Sequence, residues 1–130
     1  VPKLTVIVRK AYGGAYIAMG SKHLGADFVI SWPTAEIAVM GPEAAAEVIW
    51  RKELQLIKDE YEKEKMLQKL AEEYREKLTT PYYAASRGYI DAIIEPSETR
   101  SILIKALEFL MTKREIRIRP PPKKHGLIPL

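Results

Sequence analysis

The sequence predicts an α/β domain, and three observations carry that expectation. Apolar, β-rich runs at Thr5–Val8, Phe28–Ser31 and Glu36–Met40 alternate with stretches of helical composition. Adjacent glycines, Gly13 and Gly14, stand at the first passage from strand to helix. Gly41 and Pro42 then open a second helical stretch. Strand, turn, helix, strand, strand, helix is the rhythm of chains that lay helices against a sheet.

Taken in order, Thr5–Val8 is a continuous run of the kind found in strands buried on both faces. After the glycines, Ile17, Ala18, Met19 and Leu24 give a helix expected to stop near Gly25. Phe28–Ser31 is the next strand and Trp32-Pro33 its end, because proline cannot donate to a ladder. Pro42 suits a first helical turn, and Glu43 and Glu47 suit the positive end of the helix dipole. Between Arg51 and Leu78 the apolar residues Leu54, Ile57, Tyr61, Leu67, Leu70, Tyr74 and Leu78 form a stripe on an otherwise charged surface. Two helices with a bend near 58–63 are expected there, with Asp59–Lys63 and Glu73–Lys77 as i,i+4 ion pairs. Thr80-Pro81 ends the region, Tyr82–Arg87 is a short helix closed by Gly88, and Asp91–Ile94 is a short strand. Ser97 is the expected N-cap of the helix through Leu110, without a capping box because Arg100 holds the third position. Pro120-Pro121-Pro122 marks an extended tail.

Composition narrows the function. The chain has 21 basic and 17 acidic residues, but the excess is concentrated between Thr112 and His125, where six lysines and arginines face Glu115 alone. A basic tail could meet nucleic acid, yet no aromatic or glycine-rich reading motif accompanies it, so no nucleic-acid partner is expected. The absence of cysteine excludes disulfides and thiolate chemistry and fits a cytosolic or a heat-adapted protein. No GxxxxGK[ST] loop is present for ATP, and neither His23 nor His125 has ligands at metal spacing. Both histidines are therefore expected to pack or be solvated, and no metal site is expected. The chain opens on Val1 rather than Met, which suggests a fragment or a processed product.

The glycine pair carries the chemistry. Neither glycine has a Cβ, so the backbone can approach a ligand closely, and the first amides of the following helix lack intrahelical acceptors. Such a corner can hold an oxyanion as charge develops. It can equally be a tight turn whose glycines serve only φ or close packing.

The wording of the chain resembles one family across nearly its whole length. Arg9-Lys10-Ala11-Tyr12-Gly13-Gly14-Ala15-Tyr16, Gly20-Ser21-Lys22-His23-Leu24-Gly25-Ala26-Asp27 and Trp32-Pro33-Thr34-Ala35-Glu36-Ile37-Ala38-Val39-Met40-Gly41 are similar to the carboxyltransferase subunits of biotin-dependent acyl-CoA carboxylases. So are Ala84-Ala85-Ser86-Arg87-Gly88-Tyr89-Ile90-Asp91, Ile94-Glu95-Pro96-Ser97-Glu98-Thr99-Arg100, Lys123-Lys124-His125-Gly126 and the closing Ile128-Pro129-Leu130. Propionyl-CoA carboxylase β chains and methylmalonyl-CoA decarboxylase α chains are the members it resembles in wording. The match corresponds to about the last quarter of such a subunit.

The resemblance implies a crotonase-like fold, a spiral of ββα units, of which this chain is a partial second half. It implies catalysis by the backbone amides of Gly14 and Ala15, which would hold the ureido oxygen of biotin, with Gly13, Tyr16 and Ile17 binding substrate and Ile17 helping to select acyl length. Biotin would arrive on a separate carboxyl carrier protein, and an acyl-CoA would be the other substrate. Biotin carboxylase or a membrane decarboxylase subunit, the missing N-terminal half, and further copies in a hexamer are the implied partners. A cytoplasmic location, peripheral to a membrane where a membrane decarboxylase subunit is the partner, goes with that assignment. A hydratase or isomerase is disfavoured, because Tyr16 stands where one catalytic glutamate would be and Glu36 alone cannot supply the pair. Ala44 and Leu127 stand where family members commonly have glycine and asparagine.

The chain divides by these readings into a ββα core with the glycine turn at 1–50, a charged helical region at 51–80, a helix–strand–helix unit at 81–113 and a basic tail at 114–130. The alternative to a biotin-facing half-site is a non-catalytic assembly or packing module from a truncated subunit.

Overall fold

The structure, a computed structural model, describes residues 1–113. The expected tail at 114–130, and with it His125 and Leu127, lies outside the described residues. In chain order the elements are β1 (Leu4–Ile7), β2 (Lys10–Tyr12), α1 (Gly13–Gly20), β3 (Phe28–Ser31), β4 (Glu36–Ala38), α2 (Pro42–Ile49), α3 (Arg51–Leu56), α4 (Glu60–Leu78), α5 (Pro81–Ser86), β5 (Ala92–Ile93) and α6 (Thr99–Leu110). Short 3-10 turns at Lys22–Leu24 and Pro96–Glu98 precede β3 and α6.

The architecture is a ββα unit run twice. The first unit is β1-β2-α1 and the second β3-β4-α2. They stack in register, so that β3 pairs parallel with β1 (Val6 opposite Ile30) and β4 pairs parallel with β2 (Tyr12 opposite Ala38). β5 continues the first sheet in the order β1-β3-β5, with Ile30 opposite Ala92. Each pass thus adds one strand to each of two small parallel sheets. The core between them is built from Ile7, Ala11, Ala26, Val29, Ile37, Ala84 and Ile90. Ala11, Ala26 and Ala84 stand beside the larger Ile7, Val29, Ile37 and Ile90.

Several elements depart from the sequence expectation, each for a physical reason. The first run is not a strand buried on both faces: β1 is an edge, Leu4, Thr5 and Val6 are half-buried, and Val8 is 46% exposed. The doubly buried strand is β3, whose Val29, Ile30 and Ser31 are all buried. β2 was not expected as a strand; three residues are too few to show a period. β4 stops at Ala38, two residues short of the expected Met40. α1 ends at Gly20 rather than near Gly25, and Gly25, with φ 81°, closes the 3-10 turn instead.

The charged region forms two helices as expected, with the break at 57–59 overlapping the expected bend at 58–63. Asp59 caps α4 by accepting from the Tyr61 amide at 3.0 Å, and the expected Asp59–Lys63 pair is replaced by Lys63 with Glu60. Glu73–Lys77 forms as expected. Tyr61 leaves the apolar stripe and is 75% exposed, while Ala71 is the buried residue of α4. Ser97 is not the N-cap of α6: Glu98 holds that position without a side-chain cap, and Ser97 sits inside the preceding 3-10 turn. That turn has a capping box, the Glu98 carboxylate accepting from the Glu95 amide at 3.2 Å while the Glu95 side chain accepts at the other end.

Candidate functional site

The turn from β2 into α1 is shaped by its first glycine. Gly13 has φ 56°, and a Cβ there would lie 2.8 Å from the Val39 carbonyl oxygen, so both conformation and space require glycine. Gly14 has no positive φ, and a Cβ on it would meet nothing within 4 Å. The two glycines therefore differ: Gly13 lets the chain turn against β4, and Gly14 faces open space.

The amides of Gly14 and Ala15 belong to the first turn of α1, where no intrahelical acceptor exists. Tyr12, in the N-cap position, provides no side-chain cap, and among the described residues no hydrogen bond engages either amide. Two donors aligned with the positive end of a helix dipole are thus left outward-facing.

Beside them lies a cavity of about 350 Å³. Gly13, Gly14, Tyr16 and Ile17 form one wall, and Ile37 to Val39 on and just after β4 form the floor. Tyr74 and Leu78 from the end of α4, with Tyr83, Ala84 and Arg87 from α5 and its cap, form the opposite wall. His23 and Tyr89 close the back. The wall is mostly apolar and aromatic. Arg87 brings a positive charge to it, lying 5.2 Å over the Tyr83 ring and donating to the Tyr83 hydroxyl at 3.1 Å.

Two buried polar atoms on this wall have no partner among the described residues, the Tyr16 hydroxyl and His23 Nε2. The Ser21 hydroxyl lies 3.4 Å from the Ile17 carbonyl, to which it donates, and 3.1 Å from His23 Nδ1. His23 packs edge-on to Tyr16 and tilted against Tyr89, a packed histidine. Burial, with Tyr89 adding to it, lifts the Tyr16 phenol above its ordinary value, so the group is a neutral donor at any physiological pH.

On the far side of the turn, the Tyr12 hydroxyl donates to Glu36 Oε2, while Arg75 of α4 approaches Glu36 Oε1 at 3.7 Å and Glu43 at 3.1 Å and also pairs with Glu72. Burial first, then the Glu36 carboxylate, pushes the Tyr12 phenol well up and keeps it protonated. Glu36 is thus a strand-end residue engaged in an ion-pair cluster.

The structure brings Gly13, Gly14, Tyr16 and Ile17 to one cavity, with Ala15 exposed next to them. Tyr74, Tyr83, Arg87 and Tyr89 escaped sequence reasoning, because nothing in their spacing connects them to a turn sixty residues earlier. No group of three His, Asp or Glu side chains able to hold a metal exists among the described residues. Ala44, the departure that would add a methyl near a helix start, is exposed on α2 and is not on the cavity wall.

Stacked parallel ββα units with an open helix start define the class, a crotonase-like α/β fold of the carboxyltransferase kind. The chain belongs to the carboxyl transferase domain family, whose model matches residues 1–128. It is 53% identical to the carboxyltransferase subunit of propionyl-CoA carboxylase from Haloferax mediterranei, covering 100% of this chain and 24% of that one. It is 54% identical to the α subunit of methylmalonyl-CoA decarboxylase from Veillonella parvula, covering 100% of this chain and 23% of that protein. Among solved structures it matches the transcarboxylase 12S hexamer with methylmalonyl-CoA and methylmalonic acid bound, at TM-score 0.80 and 51% identity over 100% of this chain and 24% of that one. It also matches the β subunit of Pseudomonas aeruginosa geranyl-CoA carboxylase, at TM-score 0.70 and 27% identity over 85% of this chain and 21% of that one. The chain spans about a quarter of the length of the curated relatives it matches.

Proposed function

We propose that this chain is the biotin-facing part of a carboxyltransferase that moves a carboxyl group between biotin and an acyl-CoA of the propionyl or methylmalonyl type. One observation carries the reading: the Gly14 and Ala15 amides are unengaged and stand at the edge of a largely apolar cavity. The donor set suits the ureido oxygen of biotin, which needs hydrogen bonds most when it bears negative charge. The bare face of Gly14 admits the approach. When bound, biotin supplies the carboxyl group and, after giving it up, a basic oxygen.

The chain's own part is to bind and orient. The amides are fixed before reaction by the α1 backbone, so they need no reorganisation as charge develops. A single such donor in a water-poor site is worth about 2.7–4 kcal/mol of barrier. Among the described residues no carboxylate lines the cavity, in keeping with a role for backbone dipoles rather than an acid–base pair. Ile17 on the same wall would meet the acyl group.

The half-site is inactive alone in this reading, because an acyl thioester needs a second anion hole that the missing first half would supply. Relatives that carry out both directions of transfer support the substrate class, as does the methylmalonyl-CoA bound in transcarboxylase 12S. A biotin carrier protein, with biotin carboxylase or a membrane decarboxylase subunit, and copies in a hexamer like that of transcarboxylase 12S complete the assembly. No helix among the described residues is long and apolar enough to cross a membrane; a cytoplasmic place, peripheral to a membrane in the decarboxylase case, belongs to the same proposal.

Large apolar side chains at the surface, Met19 at 87% and Phe109 at 82% exposed, favour burial against more protein in either reading. The packing-module alternative shares that feature and differs only in the fate of the amides. The test is Gly14→Val in a carboxyltransferase assembled with this segment. Loss of transfer with an unchanged fold supports the half-site; undiminished transfer removes it.

A further inference from the structure

Helix α4 is the most charged part of the chain, and surface charge alone would give it no role. Its last turns are nevertheless fastened to the strand beneath the cavity. The Thr79 carbonyl, in a residue only 1% exposed, accepts from the Ile37 amide of β4 at 2.8 Å. One turn earlier, Arg75 reaches Glu43 in the first turn of α2 at 3.1 Å and Glu36 at the start of β4 at 3.7 Å. Glu72 holds the other side of the guanidinium. The free oxygen of Glu36 then accepts from the Tyr12 hydroxyl. Tyr12 is the residue immediately before Gly13, and its ring packs 3.7 Å from where a Cβ on Gly41 would sit.

These contacts form one line from α4 to the glycine turn. Half-exposed ion pairs add little net stability, about 0–1 kcal/mol each, so the line is poorly explained as a device for folding. Its value is directional. Arg75 presents a rigid planar fork, hydrogen-bonded to Glu43 and within ion-pair distance of Glu36, and a cation set between carboxylates of different elements biases their relative placement.

We infer that Arg75 is a positioning residue for the glycine turn, acting through Glu36 and Tyr12 to aim the Gly14 and Ala15 amides. The inference rests on the reading of those amides as an anion hole. Arg75 touches neither biotin nor acyl-CoA in this scheme. Without it the Glu36 carboxylate is less restrained, Tyr12 is less firmly anchored, and the start of α1 samples a wider range of orientations. Small misplacements of this kind are costly, since a shift of about 1 Å can cost 10²-fold in rate.

The test uses the assembled carboxyltransferase with Arg75→Met, Tyr12→Phe, the double variant, Arg75→Lys, and Lys77→Met as a surface control on the same helix. Each of the first two should lower kcat about ten-fold while leaving KM for the acyl-CoA within about two-fold, as expected for lost orientation rather than lost binding. The double variant should be no slower than the slower single one, because both break the same line. Arg75→Lys should recover part of the rate, and Lys77→Met should match the parent. Hydrogen exchange at residues 13–16 should quicken in Arg75→Met and not in Lys77→Met. Multiplying rate losses in the double variant, or unchanged exchange at the turn in Arg75→Met, would overturn the inference. The underlying reading fails separately: if Gly14→Val transfers normally, the anion hole is wrong, whatever the exchange data show.

Discussion

The glycine turn and the last turns of α4 flank the same cavity and are built on opposite principles. The turn offers backbone groups and almost no polar side chains; α4 offers side chains whose charges reach across to other elements. The turn can be disabled only by changing shape, whereas α4 can be disabled by changing chemistry at constant shape. The contrast teaches where to look for function at a cavity that no carboxylate among the described residues lines: in the proposal, one region supplies the donors and the other holds them still.

Gly13 breaks the comparison most severely. Gly13→Val combines a positive φ that a β-branched residue resists with a Cβ 2.8 Å from the Val39 carbonyl. Strain of this kind costs about 1–3 kcal/mol before the clash is counted, and thermal melting should show a large drop with transfer lost alongside it. Gly14→Val should separate the two properties. Its Cβ enters open space, so melting should change little, while transfer falls by about 10²-fold or more as the donors are shielded. A parallel loss of stability would place Gly14 with Gly13 as a purely structural glycine.

Smaller effects sharpen the picture. Ile17→Asp puts a charge on the apolar wall and should shift the ratio of kcat/KM between short and longer acyl-CoAs; an unchanged ratio would remove Ile17 from acyl selection. Tyr12→Phe bears on the α4 side. The folded-state pKa of Tyr12 is raised, so the stability it contributes is complete below the ordinary value of 10.0 and is lost as pH climbs beyond it. Denaturation followed from pH 8 to pH 11 should therefore fall off more steeply in the parent than in Tyr12→Phe. Equal slopes would show that Tyr12 gains nothing from its place against Glu36.

Much of the candidate site could be read from the chain because it lies in one short stretch. Gly13 to Ile17 are consecutive, and consecutive residues at a strand-to-helix passage declare their relation in the sequence itself. Arg75 could not be read this way. Its partner Glu43 is 32 residues away, and the intervening charged helix offers many carboxylates of equal appearance. Sheet order was hidden for a similar reason: the runs Thr5–Val8 and Phe28–Ser31 have much the same composition, and only the stacking of the ββα units puts β3 between β1 and β5. Local competition explains the rest. Asp59 could pair with Lys63 or cap α4, and it caps; Ser97 could cap α6, but it lies inside a 3-10 turn closed by the reciprocal Glu95–Glu98 box.

The central claim is that the Gly14 and Ala15 amides receive the cofactor's oxygen. Residue-resolved hydrogen exchange across 13–16, in the assembled carboxyltransferase with and without its biotin-bearing carrier, addresses it directly. The account predicts marked slowing at Gly14 and Ala15 when biotin is present and none with a carrier that lacks it. Equal exchange at these two amides in both states would contradict it.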